Sequence, residues 1–183
     1  MRILAVSGSL REGSFNTSLL RAAVEAAPEG VELELWEGLG ELPLYDDDLE
    51  VDDVPESVRR LREDWASADA ILFSTPEYNG SVPGGLKNAI DWASRPPDQP
   101  FAGKPCAIIG AAAGMAGSAR AQYDLRRSCV FLDMHPLNKP EVLIGQAQTK
   151  FDADGNLTDE AARGFIRDLM ANLAGWARLH RKK

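Results

Sequence analysis

Apolar positions along the chain fall into two kinds of run. Ile3-Leu4-Ala5-Val6, Ala70-Ile71-Leu72-Phe73 and Ala107-Ile108-Ile109 are continuous, the pattern of strands covered on both faces. The stretches between them have helical spacing. Leu19, Leu20, Ala23 and Val24 predict a helix from Asn16 to Ala27, ended by Pro28 and Gly30. Val58, Leu61 and Trp65 predict a second helix opened by Pro55. Pro83 opens a third that reaches Trp92, and a fourth runs from Ser118 to Phe131. Val31, Leu33 and Leu35 alternate with Glu32 and Glu34, which suits a half-exposed edge strand ending at Trp36. Val142-Leu143-Ile144 reads as a short last strand. Asp152 and Asp154-Gly155-Asn156 predict a turn, and Thr158 the N-cap of a final amphipathic helix reaching Leu179.

Five strands separated by helices predict an α/β domain whose parallel sheet is covered on both faces. A chain of 183 residues holds one sizeable core, and neither repeat nor linker divides it, so one domain is expected over 1–183. Doubly wound sheets bind ligands beyond the carboxyl ends of their strands, where the strand order reverses. The loops after the first, third and fourth strands therefore carry the candidate chemistry.

The first of these runs Ser7-Gly8-Ser9-Leu10-Arg11-Glu12-Gly13-Ser14-Phe15-Asn16-Thr17-Ser18. It offers short hydroxyls, two glycines, one guanidinium and the start of a helix, the parts of an anion site. A plain Ser/Gly turn with an Asn cap is the alternative. Three glycines in Gly-x-Gly-x-x-Gly order are missing, as is a Gly-Lys-Ser/Thr end, so a single terminal phosphate fits better than a pyrophosphate. In this reading Arg11 and Asn16 are the candidate phosphate ligands, with Asn16 also a candidate helix cap. After the third strand, Thr75-Pro76-Glu77-Tyr78-Asn79-Gly80-Ser81-Val82-Pro83 is held by proline at both ends. Tyr78 could stack on a planar ligand there, and Asn79 or nearby amides could bond its heteroatoms. Otherwise Tyr78 is a core-edge aromatic and Asn79 a turn residue. After the fourth strand, Gly110-Ala111-Ala112-Ala113-Gly114-Met115-Ala116-Gly117-Ser118 carries little side-chain bulk, which lets backbone approach a large flat ligand or a neighbouring helix.

Charge and composition narrow the function. A net charge of -8 argues against non-specific nucleic-acid binding. Glu41, Asp46, Asp47, Asp48, Glu50, Asp52 and Asp53 cluster as a solvated loop or as a docking surface for a cationic partner. Cys106 and Cys129 have neither metal nor redox spacing, which suits a reduced compartment, and Cys106 reads as a buried structural thiol. No apolar run is long enough to cross a bilayer and the N-terminus goes straight into a strand, so a cytoplasmic protein is expected. His135 and His180 match no metal-ligand spacing, and no Gly-x-Ser-x-Gly elbow occurs. A cofactor cradle without nucleophile, base or metal leaves the chemistry to the cofactor.

Two motifs in order carry a resemblance. Ser7-Gly8-Ser9-Leu10-Arg11 with Ser14, Asn16 and Thr17, then Pro76-Glu77-Tyr78-Asn79-Gly80-Ser81-Val82-Pro83-Gly84 and Leu86-Lys87-Asn88-Ala89-Ile90-Asp91-Trp92, resemble the NAD(P)H-dependent FMN reductases, which include quinone, chromate and azo-dye reductases. The likeness continues through Gly114, Gly117, Ala119 and Leu125-Arg126. It implies a flavodoxin-like, doubly wound five-stranded parallel sheet in order 2-1-3-4-5 with non-covalent FMN. By the same likeness Ser9, Arg11, Ser14, Asn16 and Thr17 hold the ribityl phosphate. Pro76, Glu77, Tyr78 and Asn79 flank the ring, and Ser118 or its loop lines the other side. Ala112-Ala113 stand where many relatives carry a serine, which bears on the substrate rather than on the flavin. The implied activity passes hydride and electrons from NADPH or NADH through FMN to a quinone or similar small acceptor, with chromate, azo dyes and free flavin among the candidates. A homodimer or homotetramer is implied, and neither nucleic acid nor membrane insertion. Two other classes remain: a flavodoxin-type electron carrier, which the acidic segment would suit, and a ligand-sensing assembly protein without enzymatic activity.

Overall fold

Strands and helices alternate as their periodicities require in the computed structural model, which describes residues 1–50, 54–96 and 99–180. Asp52, Asp53 and Pro97 lie outside the described residues. The order is β1 (Arg2–Ser7), α1 (Phe15–Glu25), β2 (Glu32–Trp36), α2 (Glu56–Ser67), β3 (Ala70–Ser74), α3 (Gly84–Ala93), β4 (Pro105–Ala111), α4 (Ala119–Phe131), β5 (His135–Pro136), β6 (Val142–Ile144) and α5 (Glu160–Leu179). All strand pairs are parallel, in the order β2-β1-β3-β4-β5, with β6 also on β4. This is the flavodoxin-like order, with the switch point between β1 and β3.

Register explains the two-sided core. Ile3 pairs with Leu33 and Ala70, and successive residues point to opposite faces. Ile3, Ala5, Leu72 and Ile109 therefore join one cluster with Leu19, Leu20, Ile166 and Leu173 of α1 and α5. Leu4, Val6, Ile71, Phe73 and Ile108 join the other, with Leu61, Trp65, Ile90 and Leu125 of α2, α3 and α4. Trp65, fully buried, packs edge-on against Trp36, Phe73 and Phe101 at 5.6–5.8 Å between ring centroids. Burying one such ring contributes several kcal/mol, roughly 3–5 on truncation to Ala.

Three local expectations change. The last strand position is filled twice: β5 pairs with Pro105 and Cys106, and β6 with Ile109–Ala111. Pro140 has no N–H for a ladder, so the edge breaks after Pro136 and resumes at Val142. Asp159, not Thr158, caps α5: its Oδ1 accepts from Ala162 N at 2.9 Å, while the Thr158 hydroxyl donates to Lys150 O. Ser14, not Asn16, caps α1, with its Oγ accepting from the N–H groups of Asn16 and Thr17.

Candidate cofactor site

The loop after β1 turns sharply against β3. Gly8 N donates to Ser74 O at 2.8 Å, and a Cβ on Gly8 would stand 3.1 Å from Pro76 Cδ and from Leu86 Cδ2. Glycine at that position lets the first and third loops touch. Beyond it, the Ser9 hydroxyl accepts from Arg11 N at 3.3 Å and lies 3.4 Å from the Tyr78 hydroxyl. Thr17 and Ser7 share a hydroxyl–hydroxyl bond of 2.9 Å. The backbone N–H groups of Leu10, Glu12, Gly13, Ser14 and Phe15 have no acceptor within the described residues. Arg11 is exposed, with its guanidinium 5.5 Å from the centroid of the Phe15 ring and no carboxylate partner. Open N–H groups around a helix start, with one mobile cation beside them, form an anion cradle.

The other two loops bond part of their backbone within the protein and leave the N–H groups of Glu77, Asn79, Gly80, Ala113, Gly114 and Met115 without an acceptor among the described residues. Tyr78 and Ser81 exchange both backbone hydrogen bonds at 3.1 Å across Asn79 and Gly80, whose φ values are 51° and 76°. An Asn-Gly pair with both φ positive is the two-residue hairpin of type I′. Asn79 is thus a turn residue, and the tight hairpin leaves Tyr78 half exposed at the rim. Pro76 is buried, and its carbonyl accepts from the Thr75 hydroxyl. Glu77 turns toward α4: Oε2 accepts from Arg120 N at 3.0 Å and Ala121 N at 3.5 Å, and Oε1 pairs with the Arg120 guanidinium at 3.2 Å. A carboxylate on the first N–H groups of a helix is favoured by the helix dipole. After β4, Ala112 N donates to Ile144 O, Ala147 N to Ala112 O and Gln146 N to Gly114 O. That lacing presents Ala113, Gly114 and Met115 to solvent as a rim poor in polar side chains.

Of the expected ligands, Ser9, Arg11, Ser14, Thr17, Pro76, Glu77, Tyr78 and Asn79 all belong to this one rim. Ser14, whose hydroxyl caps α1, is buried, as are Pro76, Asn16 and Ser118. Ser118 is fully buried, its hydroxyl accepting from Gln122 Nε2 at 3.2 Å, so it has no surface to offer a ligand and only its loop lines the rim. Asn16 is 3% exposed, and its amide is bonded to the ends of β3 and β4. Sequence reasoning missed Arg120 and Ser74; the one available signal for Ser74 was a polar residue closing an otherwise apolar strand. It also missed two pairings away from the rim. Cys106 and Cys129, both buried, have their sulfurs 3.9 Å apart, and the Cys106 thiol is pushed up by its hydrogen bond to Cys129 and by burial. The Nδ1 atoms of His135 and His180 lie 2.6 Å apart beside Trp176.

The rim fits a phosphate-bearing planar group. Unsatisfied donors and Arg11 match the phosphate, while the Tyr78 ring and the bare strip at Ala113–Gly114 match a flat ring. A separate groove of about 530 Å³ between α3 and α4 is lined by Ser81, Lys87, Ile90, Arg95, Arg127 and Phe131 among others, with Lys87 and Arg127 paired to Asp91 and Asp124. The cradle is therefore the better candidate for the cofactor.

A doubly wound sheet with an anion cradle after β1 and a polar-poor rim after β3 and β4 defines the flavodoxin-like class of cofactor-binding proteins. Within it, the chain belongs to the NADPH-dependent FMN reductase family, whose model matches residues 1–149. It is 54% identical over 178 residues to an NAD(P)H-dependent FMN reductase of Pseudomonas aeruginosa, covering 97% of this chain and 96% of that one. It is 43% identical over 180 residues to a quinone reductase of Pseudomonas putida, with coverage of 98% and 96%. Among solved structures, the flavoenzyme NAD(P)H:(acceptor) oxidoreductase FerB of Paracoccus denitrificans superposes with a TM-score of 0.88 at 38% identity over 98% of both chains.

Proposed function

We propose that this chain is an FMN-dependent NAD(P)H oxidoreductase that delivers electrons to a quinone or a similar small planar acceptor. The observation that carries the reading is the ring of unpartnered N–H groups with Arg11, set against a half-exposed Tyr78 and a bare strip of backbone. Arg11 and the N–H groups of residues 12–15 would hold the phosphate, Ser9 and Thr17 the chain leading from it, and the loop after β3 the ring edge. Bound FMN would supply the ring that accepts hydride and passes electrons on. The protein's own part is orientation: fixed backbone donors that need no reorganisation, and a dry face open to one planar partner at a time. Among the described residues, no helix is long and apolar enough to cross a membrane, which suits a cytoplasmic reductase acting on diffusible substrates.

The decisive assay mixes purified protein with FMN, NADPH or NADH, and a quinone. Nicotinamide oxidation above the free-FMN background is expected. Anaerobic stopped-flow separates this from a carrier, in which the flavin would stay oxidised until a reductase was added. The reading extends to a homo-oligomer built on α3 and α4, because Tyr123, Val130 and Phe131 are exposed on α4 beside the groove. A second copy of the chain would cover them, and light scattering of the FMN-bound protein should return a dimer or tetramer.

A further inference from the structure

One buried side chain ties the helix that follows the first loop to the starts of the other two loops of the rim. Asn16, the second residue of α1, accepts at Oδ1 from Ala111 N at 3.0 Å and from the Ser74 hydroxyl at 3.0 Å. Its Nδ2 donates to Ala111 O at 2.9 Å. Ala111 is the last residue of β4 and Ser74 the last of β3. The β3–β4 pairing ends at Ser74↔Ile109, followed by one more bond from Thr75 N to Ile109 O. Past that point the strands lead into separate loops, and the Asn16 amide takes the place of a strand partner for Ala111. Both acceptor positions of Oδ1 are filled and one amide hydrogen is left, on a residue 3% exposed. The amide is thus held between β3 and β4, with only one Nδ2 hydrogen not already bonded to the sheet.

We propose that Asn16 is a positioning residue that sets the spacing between the phosphate cradle at the start of α1 and the ring-holding loops after β3 and β4. The proposal rests on the flavin reading above. A rigid ligand that touches both ends gains from each only if their spacing matches its own length, as with two linked binding modules. Removing the clamp leaves each half able to bind its own fragment but loses the advantage of linking them. A phosphate ligand behaves differently, because its loss weakens the cradle itself. Ser74 sharpens the distinction: its hydroxyl is wholly buried, yet it is half of what Asn16 Oδ1 holds.

The test uses the full chain stripped of flavin and titrated with FMN, riboflavin and inorganic phosphate. Flavin fluorescence reads the first two, and the amide resonances of Gly13 and Ser14 read the third. Asn16→Ala is expected to weaken FMN about tenfold, to change riboflavin by less than about threefold, and to leave the phosphate response in place. Ser74→Ala should weaken FMN by about threefold alone and add nothing on the Asn16→Ala background, as two groups in one interaction do. Loss of the phosphate response in Asn16→Ala would make Asn16 a phosphate ligand and overturn the proposal, as would unchanged FMN affinity. If Asn16→Ala does not fold, Ser74→Ala decides alone, and wild-type FMN affinity in that variant overturns the proposal. Wild-type protein that binds no flavin overturns the flavin reading and this proposal with it, an outcome visible before any variant is made.

Discussion

In the rim after β1, five backbone N–H groups and the exposed Arg11 guanidinium have no acceptor among the described residues. In the rim after β3 and β4, Glu77 is committed to the start of α4, Tyr78 and Ser81 to each other, and Ala112 and Gly114 to residues 144–147. No cation joins the open donors there, and the N–H groups of Asn79, Gly80, Ala113, Gly114 and Met115 have no acceptor among the described residues. The difference follows from what each end must recognise. An anion is held by donors left unsatisfied until it arrives. A flat heteroaromatic ring is held by a face poor in polar side chains together with a few backbone donors along its edge. One region adds a cation to its open donors, and the other adds a tight hairpin and a bare strip of backbone.

The largest effect that would break this contrast is expected at Arg11. Arg11→Ala removes a charge-assisted contact worth roughly 2–4 kcal/mol in a partly shielded site. FMN binding should weaken about thirtyfold to several hundredfold, while riboflavin, which lacks the phosphate, changes little. Fluorescence titration of both ligands reads the result. An unchanged FMN-to-riboflavin ratio would return Arg11 to a solvated loop charge and dissolve the comparison.

Gly110→Ala attacks the other rim. A Cβ there would fall 2.0 Å from Ser118 Oγ and 2.3 Å from Thr75 O, against a buried side chain on one side and a backbone carbonyl on the other. The expected cost is about 1–3 kcal/mol of folding stability. Urea unfolding measures it, and wild-type stability would show that this rim is looser than its hydrogen bonds imply. A smaller effect is expected from Glu77→Gln, which weakens the tie to α4 through a half-exposed partner. FMN and riboflavin affinities should fall together, by less than about fivefold. A fall confined to FMN would move Glu77's influence to the phosphate end.

The smallest effect is a control remote from both rims. Asp159 is held below the usual aspartate value by its hydrogen bond from Lys150 and by the N–H of Ala162. Asp152 is held low by the Asn156 side chain and backbone. Their stabilisation is complete above the ordinary aspartate value of about 3.9 and is lost as pH falls below it through the lower folded values. Thermal melts from pH 7 to 3 should therefore show the segment leading into α5 loosening only at the acid end. Asp159→Asn should be shallower there than wild type, and identical limbs would mean the cap contributes nothing.

Much of the architecture was written along the chain. Continuous runs at Ile3–Val6, Ala70–Phe73 and Ala107–Ile109 marked the three central strands, since a strand covered on both faces admits no polar position. Glu32 and Glu34 marked β2 as an edge. Short hydroxyls and Arg11 marked the cradle, because anion chemistry needs those groups within one loop. β5 was not legible: two residues paired by position carry no periodicity.

The amino-acid sequence by itself determined which segments become strand or helix, and which of the loops after the buried strands carries the positive charge. Each of these depends on side-chain character repeated at short range, so each leaves a local trace. Only the tertiary structure decided that Asn16 turns inward to Ala111, that Glu77 reaches α4, and that Cys106 meets Cys129 and His135 meets His180. A polar side chain chooses among whatever donors and acceptors the fold leaves unpaired nearby. Which groups those are depends on strand register and on where the strands diverge, a property of the assembled sheet and of no single stretch of chain.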